Sequence, residues 1–128
     1  WTIPSQLGQL TELKDGLGLS NNLLVGEIPS ELGRLYRLQN LLLGNNKLRG
    51  TIPLSLGSIS QLRTLRLEAN NLFGTMPSSV CAKFSRDFST FYADCAEVDC
   101  PCCNFCCSDG SSECTCPFEE TDPILCIP

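Results

Sequence analysis

Leucines recur two residues apart at Leu17/Leu19, Leu41/Leu43 and Leu65/Leu67. Side chains two apart share one face of a strand, so each pair predicts a short strand with its leucines inward and the residues between them outward. A second mark keeps the same beat. Ile3-Pro4, Ile28-Pro29, Ile52-Pro53 and Met76-Pro77 follow one another at spacings of 25, 24 and 24 residues. The units between them align as LxxLxLxxNxLxGxIPxxLGxL, with one extra residue near Lys14-Asp15-Gly16 in the first. Asn22, Asn46 and Asn70 come just after the strands, where the chain turns inward. An Asn amide there can satisfy the buried backbone of a neighbouring coil. Gly26, Gly50 and Gly74 allow the next bend, and the SxLGxLxxL stretch is expected to return as an irregular or 3₁₀-like turn. One such unit cannot bury its own leucines. Stacking on the next one does.

This pattern resembles the plant-type leucine-rich repeat, whose mark is a G-x-I-P element in a 24-residue unit. The resemblance covers residues 1 to about 80. It implies an α/β solenoid with a parallel sheet on the concave face and 3₁₀ or irregular turns on the convex face. Two regions are expected: about three repeats over 1–80, and a cap with a cysteine-rich tail over 81–128. Phe88-x-x-Phe91-x-Ala93 still echoes the leucine spacing, so Phe91–Ala93 is read as a final strand closing the sheet. Trp1 and Ile3 fall inside a unit, and further repeats are expected upstream. The later run resembles the C-terminal segment of leucine-rich-repeat proteins of diatoms, described as receptor-like. The matching residues are Ala93-Asp94-Cys95 and Val98 through Cys107.

Composition changes this picture at one point. The 128 residues are 42% hydrophobic and 18% charged, as in an ordinary folded domain. No run approaches the length of a membrane span, and an anchor upstream is left open. The net charge of −5 divides unevenly: seven Lys or Arg against five Asp or Glu in 1–80, two against nine in 81–128. An acidic tail and scattered basic residues argue against nucleic acid as a partner. All ten cysteines lie at or beyond Cys81.

Three readings of that sulfur compete. A thiolate metal cluster would draw on Cys103-x-x-Cys106 and Cys114-x-Cys116, but no His accompanies them. A redox C-x-x-C is disfavoured by carboxylates at Asp99, Asp109 and Glu113, which work against a thiolate. Disulfides are the favoured reading, because the tail is short of apolar residues and the count is even. The set is Cys81, Cys95, Cys100, Cys102, Cys103, Cys106, Cys107, Cys114, Cys116 and Cys126. Cys81, where the last repeat ends, is placed as the partner of Cys95. No resident metal or other cofactor is expected.

Catalysis finds no constellation. Without His there is no Ser–His or Cys–His nucleophile, and no phosphate- or dinucleotide-binding glycine motif occurs. What remains is binding. Leu42, Arg66 and Tyr92 fall in one outward column across three strands, with Glu68 and Asp94 in the next. Exposed Leu, Arg and Tyr in line have the composition of a binding hot spot; the plainer reading is an ordinary surface. The expectation is a non-catalytic recognition module, extracellular or at the cell surface, for a protein, peptide or glycan. The resemblance also implies an inhibitor of an extracellular enzyme as an alternative. A metal-binding tail and a matrix component are the others.

Overall fold

The computed structural model describes residues 1–84, 90–94, 98–100 and 102, together with the backbone strands at 105–107 and 114–115. In chain order the strands through the repeats are β1 (Gly16–Gly18), β2 (Val25–Gly26), β3 (Asn40–Leu42), β4 (Lys47–Gly50), β5 (Thr64–Arg66), β6 (Asn71–Leu72) and β7 (Gly74–Thr75). Beyond them come helix α1 (Ser78–Phe84), β8 (Thr90–Asp94), β9 (Val98–Asp99), β10 (Phe105–Cys107) and β11 (Cys114–Thr115).

The leucine pairs define the main sheet, in the order β1-β3-β5-β8-β10-β11. Leu17, Leu41, Leu65 and Phe91 lie in register across its first four strands, all parallel. Leu41, Leu43 and Leu65 are wholly buried, as is Phe91. Burying one such leucine contributes about 2 kcal/mol, and each coil presents its leucines to the next. Phe91 takes the leucine position of the fourth strand and fills the same apolar interior.

That strand does not close the sheet. β10 adds to β8 in parallel, and β11 turns back antiparallel on β10. The expectation that Phe91–Ala93 forms the last strand is therefore corrected. Strand addition needs only a free row of backbone N–H and C=O groups, so β10 joins without the leucine pair that marks the repeats.

A second ladder, not foreseen from the leucine spacing, runs through β2, β4 and β6. It passes through the bend glycines, and Gly26, Gly50 and Gly74 all hold φ between +84° and +90°. β7 and β9 pair separately, Gly74 opposite Val98.

The return path is a 3₁₀ turn in three coils, at Ser5–Gln9, Ser30–Arg34 and Leu54–Ser58. Each follows a proline held extended, with φ near −64° to −70°. Gly33 and Gly57 sit where these turns stack. A side chain on Gly33 would strike the Ser55 carbonyl of the next coil, and one on Gly57 would strike Ser79. In the last coil the turn becomes α1, and the same position is Cys81.

Cys81 forms a disulfide with Cys102, 21 residues along the chain, with the Cα atoms 5.4 Å apart. Its placement opposite Cys95 is therefore corrected. β9 pairs with β7, the strand just before α1, and so leads the following chain back past the helix to deliver Cys102. Cys95, Cys103, Cys116 and Cys126 lie outside the described residues, as does Phe88.

Candidate binding site on the concave face

Three columns of outward positions cross the first four strands of the main sheet. Gly16, Asn40, Thr64 and Thr90 form one; Gly18, Leu42, Arg66 and Tyr92 form the second. Beyond the strand ends, the backbone ladder continues from Asn21 to Gly44 and from Asn45 to Glu68. This sets Ser20, Gly44, Glu68 and Asp94 in a third column. Toward β1 the face is bare, since a side chain built on Gly18 would meet nothing within 4 Å. Toward β8 it is furnished.

Arg66 is the centre of the furnished part. Its guanidinium carbon lies 4.5 Å from the centroid of the Tyr92 ring on the adjacent strand. Its Nε donates to Glu68 Oε1 at 2.9 Å. Stacking and pairing together hold a long, flexible side chain in one orientation. Its side chain still keeps 43% of its exposure, whereas that of Glu68 keeps 4%. Leu42 is half-buried beside Arg66, in register with it.

Glu68 was expected to face outward and is instead buried, because Gly44 makes room for it. A Cβ on Gly44 would lie 2.5 Å from Glu68 Oε1, so the carboxyl group rests directly over that bare backbone. The other oxygen, Oε2, is buried and has no hydrogen-bond partner. Burial pushes the Glu68 carboxyl above the ordinary carboxylate range. Its own backbone N–H and the Arg66 charge pull the other way without offsetting this, and the nearby Asp94 charge adds to the rise.

Asp94 is also buried, at 6% exposure, and its carboxylate is fully engaged. Oδ1 accepts from the Ala69 N–H at 2.9 Å and Oδ2 from the Asn70 N–H at 3.1 Å. Ala69 holds φ of +54°, a left-handed conformation that costs a residue with a Cβ roughly 1–2 kcal/mol. The same turn position in earlier coils is Asn21 and Asn45, also left-handed. Asp94 thus fastens a strained turn, in a structural role that its outward register concealed.

The asparagines after the strands link the coils. Asn46 Nδ2 donates to Leu19 O of the preceding coil and to Leu43 O of its own, while Oδ1 accepts from the Leu24 N–H. Asn70 repeats this one coil on, with Leu43 O, Leu67 O and the Leu48 N–H. Asn22 is exposed and bonds only within its own coil, to Leu19 O and Ser20 O. A separate shallow depression of about 260 Å³ is lined by Lys14, Tyr36, Arg37, Gln39, Ser60 and Gln61. Its guanidinium, Arg37, is already paired with Glu12.

Gly44 is the site residue that sequence reasoning missed. The available signal was a glycine aligned between Ser20 and Glu68, in a column that otherwise carries side chains.

Comparison with known proteins gives the arrangement a context. The Leucine Rich Repeat family model matches residues 16–35 and 37–59. The ectodomain of the receptor kinase SOBIR1 from Arabidopsis thaliana is 41% identical, over 59% of this chain and 40% of that one, with a TM-score of 0.55. The BIR3–SERK2 complex from the same plant aligns at 35% identity over 88% of this chain and 54% of that one, TM-score 0.61. The Arabidopsis receptor kinase HAESA, in complex with the peptide hormone IDA and the co-receptor SERK1, aligns at 28% identity over 89% of this chain and 21% of that one, TM-score 0.64. The chain thus spans about half or less of the length of these structures. A search of curated proteins finds no matching relative.

Proposed function

We propose that this chain, a leucine-rich-repeat solenoid, is a recognition module that binds a peptide or protein ligand across the Leu42–Arg66–Tyr92 column. It is not an enzyme. The observation that carries the reading is the preset Arg66, stacked on Tyr92, paired with Glu68 and still open to solvent on a face with bare ground beside it. A side chain already held in its binding orientation loses less entropy when a ligand arrives. Receptor ectodomains with this fold, one of them complexed with a peptide hormone, support a ligand of the same class.

The Cys81–Cys102 disulfide supports a place outside the reducing cytosol, at the cell surface or secreted. Cys100 is disulfide-bonded too, so these three sulfurs offer no thiolate to a metal. Among the described residues no helix is long and apolar enough to cross a membrane.

The test is affinity for a peptide selected on the wild-type chain. Arg66→Ala and Tyr92→Ala are each expected to weaken it about tenfold or more, as for anchor residues at an interface centre. Unchanged affinity in both variants would overturn the assignment of the column.

A further inference from the structure

We infer that Glu68 is a proton-operated catch on Arg66: ionised, it holds the guanidinium against Tyr92, and protonated, it lets the guanidinium turn outward to an anionic group. The catch rests on the recognition reading for its purpose, but not for its operation.

Geometry makes the case. A carboxylate in water accepts hydrogen bonds on both oxygens, yet only Oε1 of Glu68 has a partner, and Oε2 is buried without one. A buried charge so incompletely compensated is costly, and taking up a proton relieves it. The surroundings offer little else to hold the charge in place. Arg66, two residues earlier, is the cation beside it; Asp94 and Tyr92 face it from β8, and Asp94 is negative. On the β3 side lies Gly44, which brings no charge.

Asp94 does not compete for Arg66, since both its oxygens are taken by the Ala69 and Asn70 N–H groups. The hold on the Arg66 Nε edge is therefore the single bond to Glu68 Oε1. A charge-assisted bond of this kind is roughly twice as strong as a neutral one. Once Glu68 is neutral, a half-exposed guanidinium is free to exchange that bond for an anion. The matching ligand is an acidic peptide, met more strongly as the medium acidifies.

The experiment uses the ligand-free chain and inorganic sulfate as the anion probe. Nuclear magnetic resonance would follow the Glu68 carboxyl carbon, the Arg66 side-chain N–H and the Tyr92 ring across pH, with exposed Arg49 as the reference guanidinium. Glu68 is expected to titrate above the ordinary value of about 4.3, and the Arg66 signal to move with the same midpoint. Relative to Arg49, sulfate should shift Arg66 about threefold more at about pH 5 than at about pH 7.5, a window spanning the ordinary carboxylate and histidine ranges. Glu68→Gln should give the acid response at both values. Gly44→Ala, which pushes the carboxyl off its seat while leaving it ionisable, should also flatten the pH dependence.

An Arg66 signal indifferent to Glu68 protonation, or a sulfate response equal at both pH values in the wild type, would overturn the catch. No peptide enters this test. A working catch on a chain that selects no peptide therefore counts against the recognition reading alone.

Discussion

Two buried polar groups lie two residues apart in the same coil and are treated in opposite ways. Asn70, on the turn side, spends its amide on three backbone groups across two coils. Glu68, on the concave side, leaves one carboxylate oxygen without a partner. A third group, Asp94, sharpens the contrast. It shares the column of Glu68, yet gives both oxygens to backbone N–H groups. Polar groups that only hold the coils together complete their bonding inside the protein. The one that does not complete it lies beside the half-exposed guanidinium, where something from outside can answer.

Substitutions can break this contrast at either end. The largest effect is expected from Asn46→Ala, which strips the Leu24 N–H and two buried carbonyls of their partner at once. A loss of about 2–4 kcal/mol should appear in denaturant unfolding. A loss near zero would mean that water replaces the amide and the ladder is not structural. Asp94→Asn comes next, at about 1–2 kcal/mol, because an amide offers one acceptor to two converging N–H groups.

Glu68→Gln is expected to have the smallest effect and the opposite sign. A carboxyl group whose folded-state pKa is raised binds its proton more tightly in the folded chain. The stability it contributes is present below the unfolded carboxylate value and is lost as pH rises through the raised one. The Gln variant should therefore melt higher than the wild type at neutral pH, and the gap should close on acidification. A gap that widens toward acid would place Glu68 with Asp94, as a group whose charge the fold favours.

Much of this was legible in the chain. The leucine pairs carried the strands and their register because apolar spacing of period two has a single buried solution when coils stack. The asparagine after each pair carried its own position for a similar reason. The burial of Glu68 and Asp94 was not legible. An outward register says where a side chain leaves the backbone, but whether it stays exposed depends on the neighbouring coil: Gly44 in one case and the Ala69–Asn70 turn in the other. The strand at Phe105–Cys107 was missed because pairing through backbone leaves no side-chain signature. The Cys81 partner was missed because it depends on the path of the chain through β9, which no spacing encodes. Yet the alignment did hold a clue, since Cys81 stands where Gly33 and Gly57 stand in earlier coils.

That clue has a consequence for assembly. A glycine at this position lets the next turn lie directly against the backbone, and the close approach at Gly33 and Gly57 leaves no room for a Cβ. Cys81 carries one, and the adjoining space goes to the bond with Cys102. Coil stacking is a growth process without an intrinsic end, much like a linear polymer. One residue with a side chain in the contact terminates it, and the disulfide makes the termination covalent. Two copies of this chain therefore cannot extend one another head to tail through this end.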